Sequence, residues 1–133
     1  MNTLDKLLKM GLPAPQTKTV RVKRLGLDVT LQELPYDEIE RISRWEHDRD
    51  LNYLLAALVD PDLRQEAFYR DKMGKDSVID AMKALFTHGE VRALVTEVDK
   101  LNGYRCAPVG DVPADKDLEL QAVAGAAEDL KKN

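Results

Sequence analysis

Residues 17–34 read TKTVRVKRLGLDVTLQEL. Val20 and Val22 alternate with Arg21 and Lys23, and Leu27, Val29 and Leu31 alternate with Asp28, Thr30 and Gln32. Strand side chains point to opposite faces in turn, so a period of two predicts one buried and one solvated face. Two such runs around Leu25-Gly26 predict a β-hairpin. This stretch decides the fold, because immediately after it the period changes.

From Pro35 onward the apolar spacing is helical. Ile39, Ile42 and Trp45 form one stripe, with Asp37, Glu38 and Glu40 in the first turns, where the helix dipole favours acids. Asp50 starts or continues the next helix, whose face is Leu51, Leu54, Leu55, Leu58 and Val59. A shorter helix is expected around Leu63–Met73, with Ala67 and Phe68 inward and Gly74 as its end. Two further stripes follow: Val78, Ile79, Met82, Leu85 and Phe86, then Val91, Leu94, Val95, Val98 and Leu101. Between them Thr87 and Glu90 match the S/T-x-x-E capping box. Asn102-Gly103 supplies a left-handed stop. The expected fold class is mainly α (α+β): an N-terminal β-hairpin, then a compact bundle of about five short helices.

The flanks differ from this middle. Residues 2–10, NTLDKLLKM, place Leu4, Leu7 and Leu8 at helical spacing, and Gly11, Pro13 and Pro15 then break the pattern. Residues 1–17 read as an arm and linker, 18–104 as the hairpin plus helical domain, and 105–133 as a mobile tail. The last sixteen residues, LELQAVAGAAEDLKKN, form at most a weak helix, interrupted by Gly125.

A chain of 133 residues suits one domain with a real core. One cysteine, Cys106, cannot form an internal disulfide. The start is too polar for a signal peptide, and the longest apolar run, Leu54 to Val59, is far too short to span a membrane. A soluble cytosolic protein is expected. The net charge of −4 argues against general nucleic-acid binding. The basic run KTVRVKR lacks the interleaved aromatics of a single-strand binder.

The stretch LVDPDL, residues 58–63, offers two carboxylates. Local geometry accounts for them: Asp60 as a helix cap, Pro61 at the first helical position, and Asp62 in the first turn. A metal site needs further ligands at a recognisable spacing, and none is found. His47 lies in the charged run RWEHDRD, and His88 lies inside the capping box. MGKD at 73–76 has the end of a phosphate loop without its first glycine or the hydroxyl after Lys75. No catalytic residue, metal or cofactor is expected, and binding is favoured over enzymatic chemistry.

In order, KTVRVKRLG, LQELPYDEIERI, LLAALVDPDL and SVIDAMKALFTHGEVRALVTEVDKLNGY resemble the XkdN-like family of phage tail assembly chaperones of Gram-positive phages and prophages. The resemblance covers roughly residues 17–104 and rests on pattern and order. It implies a non-enzymatic protein in the bacterial host cytoplasm, absent from the mature virion. Its partner is the tape measure protein, kept soluble until tail-tube polymerisation, with the tail tube protein as a further partner. The apolar positions Leu54, Leu58, Leu85 and Val95 are the candidate partner-binding residues, against their ordinary reading as core. Many chaperones of this type are made in two lengths by a −1 frameshift, and Lys131-Lys132-Asn133 fits the in-frame reading of the slippery heptamer A-AAA-AAC. Two other readings compete: a structural tail or connector component of the particle, and a small metal-dependent enzyme using Asp60, Asp62 and His47.

Overall fold

The computed structural model of the chain describes residues 2–113. The expected weak helix near the C-terminus and the Lys131–Asn133 motif lie outside the described residues. The hairpin forms as expected from strands β1 (Thr17–Val22) and β2 (Leu27–Gln32). They pair antiparallel, with Val20 opposite Val29 and Val22 opposite Leu27. One face is apolar and packs inward. The other carries Thr19 against Thr30 at 2.8 Å and Arg21 paired to Asp28 at 2.6 Å. The turn between the strands needs a left-handed residue, supplied by Gly26 at φ 61°.

Among the described residues five α-helices accompany the hairpin: α1 (Thr3–Lys9), in the arm ahead of it, then α2 (Tyr36–Ser43), α3 (Arg49–Ala57), α4 (Val78–Leu85) and α5 (His88–Leu101). The fold is α+β, as its periodicities predict. Val29, Leu31, Leu54, Ala57, Met82 and Val98 are wholly or almost wholly buried where the hairpin, α3, α4 and α5 meet. No helix among the described residues is long and apolar enough to cross a membrane.

Two termini of α5 behave as read. Thr87 Oγ1 accepts from the Glu90 N–H at 3.1 Å and Glu90 Oε1 accepts from the Thr87 N–H at 2.8 Å, completing the capping box. At the other end Gly103, at φ 91°, lets its own N–H reach the Lys100 carbonyl at 3.2 Å and that of Tyr104 reach the Asp99 carbonyl at 2.8 Å. That pair of bonds satisfies carbonyls the helix leaves open.

The LVDPDL stretch departs from expectation. The third helix stops at Ala57, and Leu58–Asp60 forms a short strand, β3, on the free edge of β2. Leu58 lies opposite Leu31 and Asp60 opposite Thr30. The edge of β2 offers backbone donors and acceptors that another helical turn would leave unused, so pairing overrides the helical pattern. Asp60 is therefore no helix cap, and Pro61 starts no helix. The Asp60–Pro61 peptide bond is cis. Asp62 closes a local turn, accepting from the Arg64 N–H at 3.1 Å and from the Gln65 side chain at 2.9 Å. These two bonds hold its carboxyl below the usual range, Gln65 acting first.

Smaller corrections follow from the same packing. Val59 is half-exposed on β3. The helix expected over 63–73 is a wide π-helical segment, Ala67–Lys72, with the Met73 N–H bonded to the Phe68 carbonyl at 3.0 Å. Phe68 is partly buried, but Ala67 is exposed. Trp45 is beyond the end of α2 and largely outside the core, stacked under the Arg41 guanidinium at 5.5 Å.

Candidate partner-binding trough

Helices α3 and α5 pack side by side, and the seam between them is open to solvent in two places. On α5, His88, Val91, Arg92, Val95, Thr96 and Asp99 recur at three- and four-residue steps, so they share one face. On α3, Arg49, Asp50 and Tyr53 face them. Toward α4 the seam widens into a hollow of about 620 Å³ floored by Leu51, Phe86 and Val91. Toward α2 it forms a cleft of about 300 Å³ floored by Ile39, Ile42, Tyr53 and Val95. Arg49 and Asp50 border both, so the two hollows adjoin along α5, with these residues as the wall between them; together they are called the trough. The stretch of α5 from residue 88 to 99 is roughly 16 Å long, about three helical turns.

Charged groups line the rim in pairs. Arg92 Nη1 crosses the seam to Asp50 Oδ2 at 2.7 Å and so stands between the hollows. Lys83 Nζ meets Asp48 Oδ1 at 2.9 Å beside the wider hollow. Arg105 Nε lies 3.4 Å from Asp99 Oδ2 at the other end. The Arg92–Asp50 and Lys83–Asp48 pairs are exposed and contribute little to stability, so a partner can exchange them at small cost; Asp99 is partly buried.

One end of the trough is held by a part-buried polar knot. The Tyr53 hydroxyl donates to Asp99 Oδ1 at 2.9 Å and accepts from Asn102 Nδ2 at 2.7 Å. Asn102 Oδ1 accepts from the Leu34 N–H at 2.7 Å. The knot ties the link after β2 to α3 and to the end of α5. Burial disfavours the Tyr53 phenolate and raises its pKa above the ordinary tyrosine value, so the group is a fixed donor at neutral pH.

Of the four candidate residues, Val95 borders the narrower hollow but is itself buried in the core cluster. Leu54 and Leu58 belong to the closed core, and Leu85 is partly buried against it. The four do not form one surface. Sequence reasoning passed over Arg92, Thr96 and Tyr53. The visible signal was the second, polar face of α5, one step round from the core stripe. His47 lies in the loop between α2 and α3, and Asp60 lies in β3. Among the described residues no group of three or more His, Cys, Asp or Glu side chains is placed to hold a metal ion. Lys18, Arg21 and Arg24 of the basic run are each engaged by a carboxylate, Glu97, Asp28 and Glu90.

No family model matches the chain, and no curated protein matches it. Among solved structures it superposes on the crystal structure of the protein YqbN with a TM-score of 0.59. The two share a fold. The overlap covers 78% of this chain and 98% of that one, at 11% sequence identity. The bacteriophage HK97 tail assembly chaperone overlaps 76% of this chain and 94% of its own, at 21% identity and a TM-score of 0.46.

Proposed function

We propose that the protein is a phage tail assembly chaperone that binds the tape measure protein and keeps it soluble until the tail tube polymerises around it. The observation that carries this reading is the trough along α5. Apolar side chains lie at the base of its two hollows among polar ones, the hollows together run along about three turns of α5, and the Arg92–Asp50 pair between them is exposed and exchangeable. An amphipathic helix left bare aggregates through its apolar face, and a groove of this kind covers that face while leaving release easy. The sequence resemblance to XkdN-like proteins names the partner class. On this reading the protein acts in the host cytoplasm, leaves before the virion matures, and meets tail tube subunits at release. A −1 frameshift near Lys132-Asn133 yields a longer product with an added domain.

Co-expression with the tape measure protein tests the reading. The expected result is a soluble tape measure protein with the wild-type chain and a mostly insoluble one with Thr96→Trp, which fills the cleft from a partly exposed position. Retained solubility with a folded Thr96→Trp variant sinks the trough as the binding site. Purified particles that contain the chain in fixed stoichiometry favour a structural tail component instead. A blot of the natural gene with an N-terminal tag tests the frameshift: a longer minor band should vanish when the Lys132 and Asn133 codons are changed silently.

A further inference from the structure

Helix α1 is formed but has nothing to lie on. Its capping box is complete between Asn2 and Asp5, yet Leu4, Leu7 and Leu8 are 59%, 56% and 73% exposed. Its seven residues are too few to hold a helix alone in water, so the leucine face needs a surface. The chain leaves α1 through residues 10–16, all exposed, where Pro13 and Pro15 favour an extended path. It enters the domain at Gln16 and Glu33, which share two hydrogen bonds: the Gln16 N–H to Glu33 Oε1 at 2.6 Å and the Glu33 N–H to the Gln16 carbonyl at 2.9 Å.

Glu33 is also the rim of a hollow of about 260 Å³ lined by Leu34, Pro35, Ala56 and the half-exposed Val59. The arm thus leaves the domain beside a hollow of mixed lining, in which Gln32, Glu33, Glu38 and Arg64 join those four apolar residues, and no arm residue lines it. The charges are complementary as well. The arm helix has Lys6 and Lys9 against Asp5. Among the described residues Glu33 has no ion-pair partner and is the open acidic site for Lys6 or Lys9, whereas Arg64 on the same rim already faces Glu38.

We propose that α1 of one copy lies in this hollow of a second copy, and the reverse, giving an arm-exchanged dimer with two-fold symmetry. Leu4, Leu7 and Leu8 cover Leu34 and Val59 of the other copy, and Lys6 or Lys9 meets Glu33 at the rim. Because each arm starts beside its own hollow, a two-fold axis between the hollows lets both arms cross with the short linker in place. The extended proline linker carries the helix away from its own hollow. The dimer does not depend on what fills the trough along α5.

Sedimentation of the full chain tests this. Wild-type protein should show a concentration-dependent dimer. The arm variant Leu7→Glu/Leu8→Glu and the hollow variant Val59→Glu should each be monomeric at a concentration where the wild type is fully dimeric. An equimolar mixture of the two should recover a dimer, because one intact arm then finds one intact hollow. Glu33→Lys replaces the hollow variant if Val59→Glu does not fold. A monomeric wild type, a dimer that survives both variants, or a mixture that stays monomeric overturns the proposal.

Discussion

At the scale of single residues, Glu90 connects three parts of the molecule. It caps α5 through Thr87 and takes both Arg24 Nε at 3.0 Å and Nη2 at 2.8 Å, while the same Arg24 Nη2 donates to the Leu85 carbonyl at 2.7 Å. The hairpin turn is thereby fixed to the α4–α5 corner. The Arg24 guanidinium first, and the Thr87 N–H second, hold the Glu90 carboxyl at about 2. A carboxyl whose pKa is lower folded than unfolded adds stability that is full above its unfolded value and lost as pH falls through the folded one. The stability difference between wild type and Glu90→Gln should therefore be constant near pH 7 and shrink between about pH 4.5 and about pH 2. Urea titrations at several pH values check this, and a pH-independent difference removes the charge from the account. Thr87→Ala should cost about 1 kcal/mol through loss of the cap, read from the urea midpoint at unchanged slope.

At the scale of elements, the informative boundary is the one between α3 and β3. Apolar spacing alone carries the helix through Leu58 and Val59, because five residues on one stripe fit 3.6 per turn well. The unpaired edge of β2 competes for the same residues and wins. Thr30 and Asp60 are cross-strand partners beside a shift of register between Thr30 and Leu31, and directly opposed residues of an antiparallel pair are close enough for a disulfide. In a Cys106→Ser background, Thr30→Cys/Asp60→Cys should oxidise readily to an internal crosslink. Mass spectrometry reads the result, and failure to crosslink would return residues 58–60 to the helix. Leu58→Ala should cost about 2–5 kcal/mol, since its side chain is core on either account but is buried against Leu31 on this one.

At the scale of the whole molecule, the Tyr53–Asp99–Asn102 knot sets how the helices meet the hairpin. It joins segments far apart in the chain through part-buried hydrogen bonds. Tyr53→Phe leaves Asp99 and Asn102 each short of a partner and should cost about 1–2 kcal/mol. Amide exchange should quicken at Leu34 and at the end of α5, while the capping box at Thr87 stays protected. Uniform loosening along the whole chain would mean the knot is not a local tie.

The sequence by itself determined the hairpin, the run of short helices, the Thr87–Glu90 cap and the Gly103 stop. Each depends on residues within about four positions of one another, where periodicity and cap chemistry act directly. Only the tertiary structure decided that LVDPDL adds a strand, because the edge of β2 that it pairs with lies far away in the sequence. It also decided which apolar residues close into core and which line a trough. Leu54 and Val95 carry the same helical signature and both are buried core, but only Val95 also borders the open seam. Concavity comes from how two helices lie against each other, and the spacing within either helix carries no record of that.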